Sequence, residues 1–102
     1  MGWATEHIKN LNEGKTIKFR PKGNSMSGKI ESGELVTVQP INWAQDGVDV
    51  GDIVLCKVHG RQYLHLIQAQ QGMRFKIGNN KGYTNGWTSW KGIYGVVTKV
   101  EK

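Results

Sequence analysis

Asp52-Ile53-Val54-Leu55-Cys56-Lys57-Val58-His59-Gly60-Arg61-Gln62-Tyr63-Leu64-His65-Leu66-Ile67-Gln68 carries the strongest structural signal in the chain. Two apolar runs, Asp52 to Val58 and Gln62 to Gln68, flank His59-Gly60-Arg61, a connection short enough for a tight turn with glycine at a positive-φ position. The stretch predicts an antiparallel hairpin. With a two-residue loop at either His59-Gly60 or Gly60-Arg61, cross-strand parity puts His65 on one face with Tyr63, Ile67, Val54, Cys56 and Val58. A histidine on that apolar face is either a satisfied core residue or a placed base.

Working outward, Arg74 to Ile77 and Gly92 to Val100 read as further strands, separated by a loop from Gly78 to Lys91. Upstream, Glu34 to Gln39 is a strand ended by Pro40, and Asp46 to Val50 is a loop leading into the Gly51-Asp52 turn. Lys15 to Arg20 is a short strand, after which Pro21, Gly23 and Asn24 force a turn that delivers Ser25. Residues 3 to 12 place Trp3, Ala4, Ile8 and Leu11 near one helical face, with Gly14 as the stop. The chain of 102 residues is thus one globular domain, with a helical segment at 1–14 and a β domain at 15–102. Fourteen glycines and a 37% apolar content favour a turn-rich, mainly β protein.

The formal charge of +6 admits an acidic partner such as nucleic acid. Part of it is concentrated in Lys15, Lys18, Arg20, Lys22 and Lys29, with no acidic residue between them, which is either a solvated strand face or a binding surface. The single cysteine, Cys56, lies among Val54, Leu55 and Val58 and reads as a small buried hydrophobe. Its isolation, the lack of a signal-peptide pattern and the lack of a long apolar run point to a soluble, cytoplasmic protein without membrane contact. No cofactor is expected, and a structural zinc site is disfavoured by one cysteine and unpartnered His7 and His59. Asp52 and Glu34 read as turn residues at strand starts.

A serine hydroxyl needs a nearby base and backbone donors aimed at the developing oxyanion before it acts as a nucleophile. In Gly23-Asn24-Ser25-Met26 the glycine permits a close backbone approach and the asparagine tolerates unusual dihedrals, so Ser25 can present its hydroxyl and N–H together. That makes Ser25 the candidate nucleophile and part of the oxyanion hole, with Asn24 and Met26 beside bound substrate. His65 is the candidate base.

The order of these parts resembles the LexA-like repressors and signal peptidases over nearly the whole span from Phe19 to Val100. Gly23-Asn24-Ser25-Met26 resembles their nucleophile turn, Gly33-Glu34-Leu35-Val36 the following strand and Gly51-Asp52-Ile53-Val54 the next. Tyr63-Leu64-His65-Leu66-Ile67 is similar to the base-bearing strand, and Gly92-Ile93-Tyr94-Gly95-Val96-Val97 to the closing one. Histidine at the base position resembles the archaeal and endoplasmic-reticulum signal peptidases. The resemblance implies a twisted antiparallel sheet, a partly closed barrel with a short N-terminal helix, acting as a serine endopeptidase on a peptide or protein substrate. Histidine, with an ordinary pKa of about 6.5 against about 10.4 for lysine, needs less tuning to accept a proton. Where the histidine branch has Gly-Asp after the base, this chain has Gly78-Asn79, so Asn79 is the expected orienting group, with Asn85 as a second candidate. Gly28 stands where family members often have proline. Only 24 residues precede Ser25, fewer than a repressor's DNA-binding domain needs, so a free-standing domain is expected.

A second class of function uses the same fold as a catalytically silent binding module that holds nucleic acid or a protein partner with the basic strand and the Trp loop. Tyr83, Trp87 and Trp90, interleaved with Lys81 and Lys91, suit a stacking platform for single-stranded nucleic acid, or else cover a sheet edge.

Overall fold

A computed structural model describes residues 2–102. The chain forms a helix α1 (Thr5–Asn12) and seven strands: β1 (Ile17–Phe19), β2 (Leu35–Pro40), β3 (Ile53–Val58), β4 (Arg61–Gln71), β5 (Arg74–Gly78), β6 (Thr84–Ser89) and β7 (Ile93–Glu101). The strands make one sheet in the order β1-β2-β7-β3-β4-β5-β6, with every pair antiparallel.

The β3–β4 hairpin turns on His59 and Gly60 at φ 51° and 79°, the paired positive dihedrals of a type I′ turn whose twist matches that of its strands. This choice of loop fixes Val58 opposite Arg61, Cys56 opposite Tyr63 and Val54 opposite His65. Alternation then sorts the side chains. Val54, Cys56, Val58 and Ile67 join Phe75, Ile77 and Ile93 in one core cluster, while Leu55 and Leu64 join Ala4, Ile8, Leu11, Val36 and Val38 in the other, under α1. Central strands covered on both faces explain the near-continuous apolar run at 53–56.

The expected partial closure into a barrel is corrected by the pairing, because β1 and β6 remain the edges of an open sheet. With three residues and a proline shortly after, β1 has too short a ladder to close one. The sheet curls nonetheless: a Cβ on Gly86 of β6 would lie 3.0 Å from His59 Nε2 and 3.2 Å from Val58 Cγ1, beside the end of β3.

The loop expected from Gly78 to Lys91 contains β6, a strand whose polar Thr-Asn-Gly-Trp-Thr-Ser sequence has no apolar alternation to betray it. Backbone pairing to β5 holds it there. The helix begins at Thr5, leaving Trp3 outside it and 53% exposed. β2 ends at Pro40, which is itself its last residue, and β4 runs on to Gln71.

Phe75, the largest fully buried side chain, touches Trp43 with ring centroids 5.9 Å apart. Phe75→Ala is expected to lower the urea unfolding free energy by about 3–5 kcal/mol. A loss below about 1 kcal/mol would show that this cluster contributes little to the fold.

Candidate active site

Ser25 stands on the exposed loop between β1 and β2. The loop is closed at its base by Gly33 N–H donating to Pro21 O at 2.9 Å and by Arg20 donating to Gly33 O at 2.9 Å. Gly23 N–H donates to Ser32 Oγ, and Ile30 N–H donates to Met26 O at 2.8 Å. Met26 and Ile30 sink into the helix-side core and anchor the turn. Gly28, where the resemblance anticipates proline, has φ +94° and donates its N–H to Glu31 Oε2. Proline can do neither, so this turn takes its own route.

His65 is buried on β4, with its imidazole stacked on Tyr63 at 5.0 Å and an interplanar angle of 24°. Its Nε2 lies 3.2 Å from Ser25 Oγ and its Nδ1 lies 2.6 Å from Asn85 Oδ1. An amide oxygen only accepts, so Nδ1 carries the proton and the Nε2 lone pair faces the serine hydroxyl. Burial pushes the His65 pKa below its usual value, partly opposed by the Asn85 hydrogen bond, which favours the charged ring. The ring is therefore neutral at pH 7 and free to take a proton. Among the described residues, no protein group accepts a hydrogen bond from the Ser25 N–H, which leaves that donor for an oxyanion.

Asn85, not Asn79, orients His65. In the β5–β6 ladder the register shifts between Ile77–Gly86 and Gly78–Thr84, so Asn85 is the extra residue of a bulge and its side chain is re-aimed at the histidine. A second shift makes Gln68 the extra residue of β4. Gln68 donates to Asn79 O and Tyr83 O at 3.1 and 2.9 Å and accepts from Thr84 Oγ1 at 2.8 Å, pinning the connection that leads into Asn85. Asn79 Oδ1 is occupied within that connection, accepting from the N–H groups of Lys81 and Tyr83. It builds the turn and does not reach His65.

Two residues not expected near Ser25 and His65 also shape their surroundings. Asn80 Nδ2 donates to Ser27 O at 2.9 Å, and Lys81 Nζ donates to Asn24 O at 2.9 Å and to Ser27 Oγ. The β5–β6 connection thus grips the loop from both sides of Ser25. Nothing in one-dimensional spacing linked these positions, more than fifty residues apart.

Ser25 and His65 open onto a cleft of about 200 Å³ whose walls include Trp3, Lys22, Met26 and Leu64. Met26, expected beside substrate, is 4% exposed and serves mainly as core, because its unbranched apolar side chain is better buried than offered to solvent. Asn24 lies outside the cleft lining, with its carbonyl held by Lys81. Tyr83, Trp87 and Trp90 make no ring contacts with one another among the described residues; Trp90 instead meets Trp43 edge-on at 5.7 Å. No cluster of three or more His, Cys, Asp or Glu able to hold a metal occurs among the described residues. No helix there is long and apolar enough to cross a membrane.

No protein-family model matches the chain, and no curated protein matches it.

By NMR, His65 should titrate below 6.5, with Asn85→Ala lowering its pKa further and Asn85→Asp raising it. The unfolded chain then takes up a proton that the folded one refuses, so stability should fall as pH drops from about 6.5 through the lowered pKa and level off beneath it. A His65 titration at or above 6.5 would overturn this account of burial. Removing the Lys81 half of the grip with Lys81→Met should speed amide exchange at Ser27 by about tenfold. Unchanged protection would show that the turn is held by its own bonds and Asn80 without help from Lys81.

Proposed function

We propose that this protein is a serine endopeptidase of the LexA and signal-peptidase type, using Ser25 as nucleophile and His65 as general base and then general acid. The observation that carries the reading is the line Ser25 Oγ, His65 Nε2, His65 Nδ1, Asn85 Oδ1, with separations of 3.2 Å and 2.6 Å at its two hydrogen bonds. Attack of Oγ on a peptide carbonyl forms the C–O bond as Nε2 takes the hydroxyl proton. The carbonyl oxygen becomes an oxyanion that the Ser25 N–H is free to meet. Collapse breaks the C–N bond, the imidazolium returns its proton to the leaving amine, and water, deprotonated by the same nitrogen, hydrolyses the acyl-enzyme.

Asn85 holds the ring in the required tautomer without a negative charge. It therefore supports imidazolium less than a carboxylate does, and turnover should be slow beside enzymes with an acidic third member. The exposed edge of β1, next to the Ser25 loop, offers unpaired backbone to a substrate in extended form.

Incubation with a fluorophosphonate, read by intact mass, should add one probe per chain in the native protein and none in Ser25→Ala. His65→Ala should slow labelling and peptide hydrolysis by at least about a thousandfold. A native chain that never labels and never cleaves a peptide library would sink the peptidase reading in favour of a binding module on the same fold.

A further inference from the structure

Beside the Ser25 cleft runs a second groove of about 390 Å³, lined by Trp3, His7, Phe19, Arg20, Pro21 and Lys22. Trp3, Pro21 and Lys22 also line the cleft, so the two lie side by side. Its floor is aromatic: His7 stacks on Phe19 at 4.4 Å, and Trp3 leans over Phe19 at 5.7 Å. Trp3 is 53% exposed in this position, a large apolar surface left open to water. The rim is basic. Arg20 and Lys22 lie in no ion pair among the described residues, and no acidic residue lines the groove. The bond from Arg20 to Gly33 O fixes the guanidinium while leaving most of its donors free.

We propose that this groove is a substrate subsite for an acidic peptide segment carrying an aromatic or large apolar side chain. The side chain enters the slot beside Trp3 and Phe19, and the carboxylates meet Lys22 and Arg20. The segment continues along the shared wall of Trp3 and Pro21 toward Ser25. Single-stranded nucleic acid suits the slot poorly, because one face of Phe19 is covered by His7 and the rings present no series of open faces for successive bases. The proposal rests on the peptidase reading for cleavage of the bound segment, and not for binding itself.

Ser25→Ala, which cannot turn over, allows binding to be read alone by fluorescence anisotropy. The probes are a fluorescein-labelled Gly/Ser peptide carrying Glu-Glu-Phe, the same peptide with Gln-Gln-Phe or Glu-Glu-Ala, and oligothymidylate. The Glu-Glu-Phe peptide should bind about tenfold tighter than either altered peptide, with the advantage of the carboxylates shrinking as salt is raised. Adding Lys22→Glu should abolish the preference for Glu over Gln, and adding Trp3→Ala the preference for Phe over Ala. Equal binding of the three peptides, or tighter binding of oligothymidylate, would overturn the assignment. Selective binding with no cleavage by the Ser25 chain would retain the subsite and remove the peptidase reading. Cleavage indifferent to the acidic segment would do the reverse.

Discussion

The register of the β3–β4 hairpin is the constraint on which the site depends. The type I′ turn at His59-Gly60 sets Val54 opposite His65, and a slip of one residue would send the imidazole to the helix-side face and Leu64 into its place. The apolar side chains resist that slip, because both faces of β3 and β4 are buried against different clusters. Packing that stabilises the sheet therefore also fixes the direction in which His65 points.

Around that fixed strand, deviations from regular pairing do the aiming. A regular β5–β6 ladder would leave Asn85 as one more alternating side chain on an edge strand. The bulge frees it, and the opposing irregularity at Gln68 supplies an amide that secures the turn. The same connection extends Asn80 and Lys81 to the Ser25 loop. One short segment thereby couples the placement of the histidine to that of the serine, although neither residue belongs to it.

His65 was legible because period-two alternation and a short turn leave few options for its face, and Ser25 because glycine and proline punctuate the chain around it. Asn85 was only a second candidate. The strand that carries it is polar, lies at the sheet edge and is held by backbone bonds, which leave no pattern in side-chain chemistry. Asn79 was expected because it stands where the resembled family has aspartate, yet its side-chain oxygen is consumed by local N–H groups, a common fate of asparagine in a turn. Met26 shows the opposite case: adjacency to the serine suggested substrate contact, but its side chain plugs the core. The sheet itself was readable strand by strand, except for β6. Its openness depends on how far β1 extends, and that is decided by tertiary pairing.

Cys56 sits opposite Tyr63, on the strand beside the one that bears His65, and is fully buried. Desolvation pushes its thiol up to about 12, so the folded protein presents essentially no thiolate at neutral pH. A soluble alkylating reagent can reach it only when the core cluster packed on this face of the sheet opens. The rate at which Cys56 is alkylated thus serves as a built-in clock for the opening of the core packed against the strand that faces His65.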